Sequence, residues 1–183
     1  RHQKIIEEAP SPAVSPEIRK AMCDAALKAA ASLGYSSAGT VEFLLSGSEF
    51  YFLEVNARLQ VEHPITEAII GKDLVREQIR VAEGEILSFS QGELQINGHA
   101  IEARLCAEDP NNDFLPSPGP VVIWKPSTQG MARFDSGVES GSVIAVEFDP
   151  MIAKVIVHAP TRREAAVRLA RTLETTQIQG LTT

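Results

Sequence analysis

The sequence predicts an α+β fold, and three of its features support this prediction. Apolar residues recur at helical spacing near the start of the chain, in its first half and again near its end. Two strand-like runs in the first half are joined by a short polar turn. The second half contains short apolar runs separated by prolines and glycines, which is typical of an antiparallel sheet.

The first half is expected to begin with a helix and a hairpin. Ser15 occupies the position of an N-cap, Pro16 that of the first helical residue, and Gly34 ends the helical pattern. The turn Ser46–Glu49 joins the two strand-like runs into a β-hairpin. The elements predicted here are a helix over residues 16–33, strands over Thr40–Leu45 and Phe50–Asn56, and helices over Pro64–Ile70 and Asp73–Ala82.

A change of composition at Gly84–Gly92 predicts a boundary between two lobes near residue 84. A last helix is expected from about Thr161 to Gln177, because Thr161 followed by Glu164 has the spacing of a capping box. The strands predicted for the second lobe are His99–Ala107, Val121–Lys125, Met131–Asp135, Ser142–Phe148 and Met151–His158.

The composition argues against several classes of function. The net charge of −7 over 183 residues does not favour binding to nucleic acid, which requires a basic face. No apolar run approaches the roughly 18 residues that span a bilayer, and no secretory signal opens the sequence. Cys23 and Cys106 are expected to be reduced, so we expect a cytoplasmic protein, or a mitochondrial matrix protein if the source is eukaryotic.

Glu42 and Glu54 lie between apolar neighbours on the two strands of the predicted hairpin, and Asn56 follows on the second strand. Two carboxylates on one hairpin are costly to bury and repel each other unless a cation lies between them. Oxygen ligands suit Mg²⁺ or Mn²⁺, which also bind phosphates. The alternative is that this face of the hairpin is simply solvated.

The length of the turn decides whether the two carboxylates can share a cation. A two-residue turn pairs Ser46 with Glu49 and sends the two carboxylates to opposite faces of the hairpin. A three-residue loop pairs Ser46 with Phe50 and places Glu42 opposite Glu54. The metal hypothesis therefore predicts a loop with an odd number of residues.

The segment after the hairpin carries polar side chains at every second position. If it is extended, Asn56, Arg58, Gln60 and Glu62 point the same way. An arginine offers a rigid pair of donors for a small planar anion, and a glutamate can act as a general base. The alternative is an exposed edge with a surface ion pair, which would contribute little.

These motifs resemble the biotin carboxylases, the ATP-grasp subunits or domains of biotin-dependent carboxylases. The resemblance extends over the whole chain, and several motifs occur in the order found in that family. The runs that carry it are Glu42 followed by residues 54–64 (EVNARLQVEHP), then 1–4 (RHQK), 7–10 (EEAP), 98–104 (GHAIEAR), 107–110 (AEDP), 114–119 (FLPSPG) and 148–154 (FDPMIAK). Tyrosine is common in the family where this chain has Phe148.

The resemblance implies two regions of the fold. Residues 1–84 would be the C-terminal part of an ATP-grasp domain, and residues 85–183 the C-terminal lobe of a biotin carboxylase. It also implies that His2 lies near the nucleotide, and that Glu42, Glu54 and Asn56 hold Mg²⁺ or Mn²⁺ bridging the ATP phosphates.

The implied reaction joins bicarbonate to biotin N1 at the expense of ATP. The resemblance makes Arg58 the residue that stabilises carboxyphosphate and the biotin enolate, and Glu62 the base that deprotonates bicarbonate. The groups implied to bind bicarbonate or biotin are Lys4, Arg58, Gln60, the backbone of Val61, and Arg104.

The resemblance also implies partners for the chain. The sequence contains no glycine-rich phosphate loop. It also contains no Ala-Met-Lys-Met biotinylation motif, so biotin is expected on a separate domain or subunit. A carboxyltransferase, homodimerisation of the full-length module and an acyl-CoA acceptor of acetyl or propionyl type are further expectations. Two alternatives stay open: another ATP-grasp ligase, such as a carbamoyl phosphate synthetase lobe, and a non-catalytic interaction fragment. His63, His99 and His158 are expected to be structural.

Overall fold

The computed structural model describes residues 4–183, which contain four α-helices and twelve strands. The helices are α1 (Pro16–Ser32), α2 (His63–Ile70), α3 (Leu74–Ala82) and α4 (Arg162–Thr175). The strands are β1 (Ile6–Ala9), β2 (Thr40–Ser46), β3 (Glu49–Asn56), β4 (His99–Cys106), β5 (Glu108–Asp109), β6 (Leu115–Pro116), β7 (Gly119–Pro120), β8 (Ile123–Lys125), β9 (Arg133–Ser136), β10 (Val143–Ile144), β11 (Met151–Ala159) and β12 (Gln177–Gln179).

The predicted helix ends are confirmed by their caps. The Ser15 side chain accepts a hydrogen bond from the backbone N–H of Ile18, and Gly34 follows the helix with a positive φ of 58°. The Thr161 hydroxyl accepts from the backbone N–H of Glu164, whose carboxylate in turn accepts from the backbone N–H of Thr161, forming the predicted capping box.

A four-stranded antiparallel sheet, ordered β1-β4-β11-β9, forms the centre of the second half. One of its faces packs against α4 through Ile101, Val155 and Leu169. The other packs against α2 through Ile65 and Ile156. This confirms the predicted α+β class and the antiparallel sheet with a closing helix.

Several strands differ from the prediction, which gave Val121–Lys125 for β8 and Met131–Asp135 for β9 and did not include the short strands β5, β6, β7 and β12. The strand expected over Ser142–Phe148 is only Val143–Ile144, because residues 145–150 form turns and bends. The last helix ends at Thr175, where the chain leaves helical geometry and β12 pairs with β8. The sequence does not predict β1, because glutamate is uncommon in strands and two of its four residues are glutamates. Its partner strand, β4, lies far along the chain.

The pairing of β1 with β4 places the start of the chain on the second-half sheet. Glu8 fixes this strand, since its carboxylate accepts two hydrogen bonds from Arg162 at the start of α4 and contacts His99 Nε2 at 2.7 Å. Charged pairs of this kind define how β1 lies on the sheet. The neighbouring residue Glu7 therefore points to the α2 face, beside Glu102.

The hairpin β2–β3 pairs with no other strand among the described residues. Its apolar side chains at Tyr51, Phe52 and Leu53 are 52%, 60% and 54% exposed. The hairpin is therefore held mainly by its own ladder, by α1 packed beside it and by polar contacts at the end where Glu42 lies.

Candidate active site

Glu42 and Glu54 are directly opposite each other in the hairpin, as the metal hypothesis requires. The odd-numbered loop predicted for this purpose is wrong, because Ser46 pairs with Glu49 across the two-residue turn Gly47–Ser48. The register shifts between Glu42 and Phe43, so that Leu53 is an extra residue on β3. The two-residue turn alone would have placed Glu42 and Glu54 on opposite faces of the hairpin, and this β-bulge returns them to the same face.

Glu42 is the centre of a polar cluster at the end of the hairpin. Its Oε1 accepts from Gln60 Nε2 at 2.6 Å and from Asn56 Nδ2 at 3.2 Å. Both of its oxygens contact Lys4 Nζ, at 3.1 and 3.2 Å. Asn56 Nδ2 also donates to Glu54 Oε1 at 3.0 Å, so one amide nitrogen contacts both carboxylates.

This donor set fits a hard divalent cation that shares its coordination with phosphate. The two carboxylates converge on the Asn56 amide nitrogen, and the amide oxygen, which lies 3.4 Å from Arg58 Nη2, would have to turn toward them to bind a metal. Within residues 4–183 no group of three or more His, Cys, Asp or Glu side chains forms a metal cluster. Glu42, Glu54 and Asn56 therefore suit Mg²⁺ with phosphate oxygens rather than a cage made of protein ligands alone.

The segment after β3 bends and turns instead of continuing as a strand. Its polar side chains nevertheless meet: Arg58 Nη2 lies 3.4 Å from Asn56 Oδ1, and Arg58 Nη1 lies 3.5 Å from Gln60 Oε1. Gln60 is buried and reaches back to the hairpin, whereas the guanidinium of Arg58 is exposed. Arg58 therefore lies between the hairpin cluster and the residues that follow it.

Glu62 belongs to a second charged cluster, which adjoins the first. Its Oε2 accepts from Arg104 Nη2 at 3.1 Å, and the same guanidinium makes two hydrogen bonds to Glu7 at 2.6 and 3.2 Å. Burial raises the pKa of Glu7 even though the Arg104 hydrogen bond opposes this. The structure thus brings together the predicted residues Lys4, Glu42, Glu54, Asn56, Arg58, Gln60, Val61, Glu62 and Arg104, while His2 lies outside the described residues.

The three histidines contact the protein itself. His63 Nδ1 and His158 Nε2 each lie 2.7 Å from a backbone carbonyl oxygen, and His99 Nε2 lies 2.7 Å from Glu8. These contacts are the structural roles that the sequence predicts for them.

Sequence reasoning missed two buried charged residues beneath this site, Glu102 and Lys154. Glu102 is 0% exposed, and neither of its carboxyl oxygens has a hydrogen-bond partner. Burial raises its pKa to about 7, against the lowering effect of the Lys154 charge. Its position between Ile101 and Ala103 is the same signal, an acid inside an apolar strand, that singled out Glu42 and Glu54.

We predict that Glu102→Gln stabilises the chain more at pH 8 than at pH 5. The folded chain retains the Glu102 proton up to a pKa of about 7, whereas the unfolded chain releases it near 4.5. Glu102 therefore lowers the unfolding free energy by an amount that grows as the pH rises from about 4.5 to about 7 and is constant at higher pH. Glutamine is neutral throughout, so the gain in unfolding free energy should rise by up to about 3 kcal/mol between pH 5 and 8.

Urea unfolding at the two pH values measures this difference. The exposed residue Glu139 provides a matched control, since Glu139→Gln removes the same charge without any burial. A gain for Glu102→Gln that is equal at both pH values would contradict the assignment of a buried, proton-retaining carboxyl.

The chain is similar to known proteins over its whole length. Residues 1–90 match the family model described as carbamoyl-phosphate synthase L chain, ATP binding domain, and residues 102–183 match the biotin carboxylase C-terminal domain. A pyruvate carboxylase polypeptide of Methanothermobacter thermautotrophicus is 53% identical over 100% of this chain and 37% of its own length. The alpha chain of the mitochondrial methylcrotonoyl-CoA carboxylase of Mus musculus is 50% identical over 99% of this chain and 26% of its own length.

A solved structure shows the same fold. The biotin carboxylase domain dimer of 2-oxoglutarate carboxylase from Hydrogenobacter thermophilus, in complex with MgADP, ADP and bicarbonate, superposes with a TM-score of 0.94. It is 42% identical, and the match covers 99% of this chain and 40% of that one. The chain thus spans between about a quarter and two fifths of these three proteins. None of the helices in residues 4–183 has the length and apolar content needed to cross a membrane. The family model over residues 102–183, the curated relatives and the solved structure agree that this chain belongs to the biotin carboxylase family, and it corresponds to the C-terminal half of the ATP-grasp unit of that family.

Proposed function

We propose that this chain forms the metal, bicarbonate and biotin side of an enzyme that carboxylates biotin N1 with ATP and bicarbonate. The observation that supports this best is that one short segment, residues 60–62, connects the two charged clusters. Gln60 joins the segment to the hairpin carboxylate Glu42, and two residues later Glu62 joins it to Arg104. A metal–phosphate site and a base with its arginine are thereby adjacent.

In this proposal Glu42, Glu54 and Asn56 hold Mg²⁺, or Mn²⁺ in its place, against the ATP phosphates. The metal would neutralise phosphate charge during transfer of the γ-phosphoryl group to bicarbonate. Lys4 at present neutralises Glu42. Its ammonium group is therefore close enough to the site to turn to bicarbonate when a metal takes over that role.

Glu62 is proposed to remove the proton of bicarbonate as the oxygen attacks the γ-phosphate and carboxyphosphate forms. Protonation of Glu62, whose Oε2 lies 3.1 Å from Arg104, would remove its charge and weaken that ion pair. Glu7 holds the same guanidinium at 2.6 Å, so Arg104 stays beside the site throughout. Arg104, whose positive charge Glu62 then no longer offsets, can bind the anion that forms.

Arg58 is proposed to stabilise negative charge on carboxyphosphate and then on the biotin enolate. Its exposed guanidinium, touching Asn56 and Gln60, faces both the metal residues and the bicarbonate segment. The Gln60 side chain and the Val61 backbone would orient bicarbonate between them. Carboxyphosphate releases CO₂, the phosphate takes the N1 proton of biotin, and N1 captures the carbon.

Biotin is proposed to arrive on a separate carrier domain or subunit, and a carboxyltransferase to receive the carboxyl group. We also propose a homodimer of the complete module and an acyl-CoA acceptor of acetyl or propionyl type. The relatives include carboxylases named for pyruvate, methylcrotonoyl-CoA and 2-oxoglutarate, so the acceptor needs a test of its own.

The test is ATP cleavage by the complete carboxylase that contains this chain. Cleavage should require Mg²⁺, bicarbonate and free biotin together, and mass spectrometry should detect N1-carboxybiotin. Cleavage that needs bicarbonate and ammonia but no biotin would favour a carbamoyl phosphate synthetase instead. The acceptor is tested separately, by supplying the carboxyltransferase with acetyl-CoA, propionyl-CoA or pyruvate.

A further inference from the structure

Lys154 lies on β11, the long strand at the centre of the second-half sheet, on the face that packs against α2. It pairs with Arg104 on β4 and with Asp135 on β9. Its side chain is 12% exposed. Its ammonium nitrogen donates to the backbone carbonyl of Val61 at 2.8 Å and lies 3.5 Å from the Asp135 carboxylate.

Burying a lysine costs free energy unless charged and polar partners compensate for the water it loses. The charged groups around Lys154 come from every neighbouring element: Glu102 and Arg104 on β4, Glu7 on β1, Asp135 on β9 and Glu62 before α2. Asp135 is already satisfied by two hydrogen bonds from Arg133, at 2.7 and 2.9 Å. The shortest hydrogen bond that Lys154 makes is therefore to the Val61 carbonyl rather than to an acid.

The Val61 carbonyl belongs to the peptide that joins Val61 to Glu62. The preceding carbonyl, of Gln60, is held locally by the His63 ring at 2.7 Å. The Val61 carbonyl instead accepts a hydrogen bond from the charged Lys154 side chain. Lys154 lies 93 residues further along the chain, on the most buried strand of the sheet. A charged hydrogen bond from a rigid strand restricts this peptide more strongly than a neutral contact within the turn.

We propose that Lys154 is a positioning residue for bicarbonate, acting through the Val61–Glu62 peptide. The held peptide fixes the direction of the Glu62 carboxylate and of the Val61 backbone toward the same point. The inference rests on the proposed function of these two residues. A misplacement of about 1 Å in such a site can lower a rate roughly a hundredfold, so a residue that never touches substrate can control the rate.

The test is a set of Lys154 variants in the complete carboxylase, with ATP cleavage measured as a function of bicarbonate and of MgATP. Lys154→Met should lower kcat/KM for bicarbonate roughly 10- to 100-fold and leave the KM for MgATP within about twofold, since the hairpin carboxylates are untouched. Lys154→Arg keeps a charged donor and should recover roughly tenfold of that loss. If Lys154→Met does not fold by circular dichroism, Lys154→Gln replaces it with the same expectation.

Asp135→Asn is the matched control, because it removes the ion-pair partner of Lys154 and leaves the Val61 contact in place. Its bicarbonate KM should stay within about threefold of wild type. An equal loss in Asp135→Asn and Lys154→Met would show that the ion pair matters and the carbonyl contact does not. A folded Lys154→Met with wild-type bicarbonate kinetics would also overturn the positioning role. Wild-type enzyme without biotin-dependent ATP cleavage would instead refute the proposed function on which this role rests.

Discussion

Arg58→Ala and Glu62→Ala, each made in the complete carboxylase, are expected to lower carboxylation of free biotin by at least roughly a hundredfold. Arg58 supplies the exposed guanidinium beside the metal residues, and no other arginine contacts Asn56 or Gln60 among the described residues. Glu62 is the carboxylate that we propose as the base for bicarbonate, and it lies two residues after Gln60. A lost general base or charge-stabilising group typically costs this much in rate.

Both substitutions should leave folding nearly intact, which separates a chemical effect from a structural one. Arg58 is exposed, and its hydrogen bonds of 3.0 to 3.5 Å join it to residues within its own segment. Removing Glu62 leaves Arg104 with two hydrogen bonds to Glu7. Each variant should therefore lose less than about 1 kcal/mol in unfolding free energy.

The matched controls are Arg19→Ala, an exposed arginine on α1, and Glu139→Ala, an exposed glutamate far along the sequence from the site. Both should carboxylate biotin at the wild-type rate. A near-normal rate in Arg58→Ala or Glu62→Ala would remove that residue from the mechanism, and the fold would remain that of the family.

The hairpin shows both the reach and the limit of sequence reasoning. The metal hypothesis correctly placed Glu42 opposite Glu54, although the cost of burial did not support it, because Glu54 is exposed and Glu42 is only partly buried. The predicted odd-numbered loop was wrong. A longer loop and a β-bulge can each place two residues on the same face of a hairpin, but only the loop has a local sequence signal. In the structure Phe43 pairs with Phe52 and packs edge-on against it and against Phe50, so the packing of the strands is consistent with the bulge at Leu53.

The contacts beneath the site had no comparable signal. Arg104 meets Glu7 across 97 positions of sequence, and Lys154 meets the Val61 carbonyl across 93. Periodicity assigns a residue to one face of its own strand, but it cannot tell which distant strand lies beside it. The resemblance implies a role for Arg104 and none for Lys154 or Glu102, although both lie within the motifs that carry it.

The 183-residue chain assayed alone should fold at least in part and show no measurable biotin-stimulated ATPase. Folding is expected because the four-stranded sheet is covered by helices on both faces, with buried residues such as Val155 and Val157 between them. The hairpin is less secure, since its exposed Phe52 and Leu53 lie on a sheet of two strands.

Activity of the chain alone is not expected, because phosphoryl transfer depends on positioning and charge neutralisation around the whole triphosphate. Two carboxylates and an amide are too few ligands to bind Mg²⁺ tightly without phosphate oxygens, and Lys4 competes for Glu42. ATPase measured with bicarbonate, Mg²⁺ and free biotin, on this chain and on the complete carboxylase side by side, tests the expectation. Circular dichroism on the same sample establishes that the chain is folded. Biotin-stimulated turnover by the chain near the rate of the complete enzyme would show that these 183 residues already contain a sufficient phosphate site.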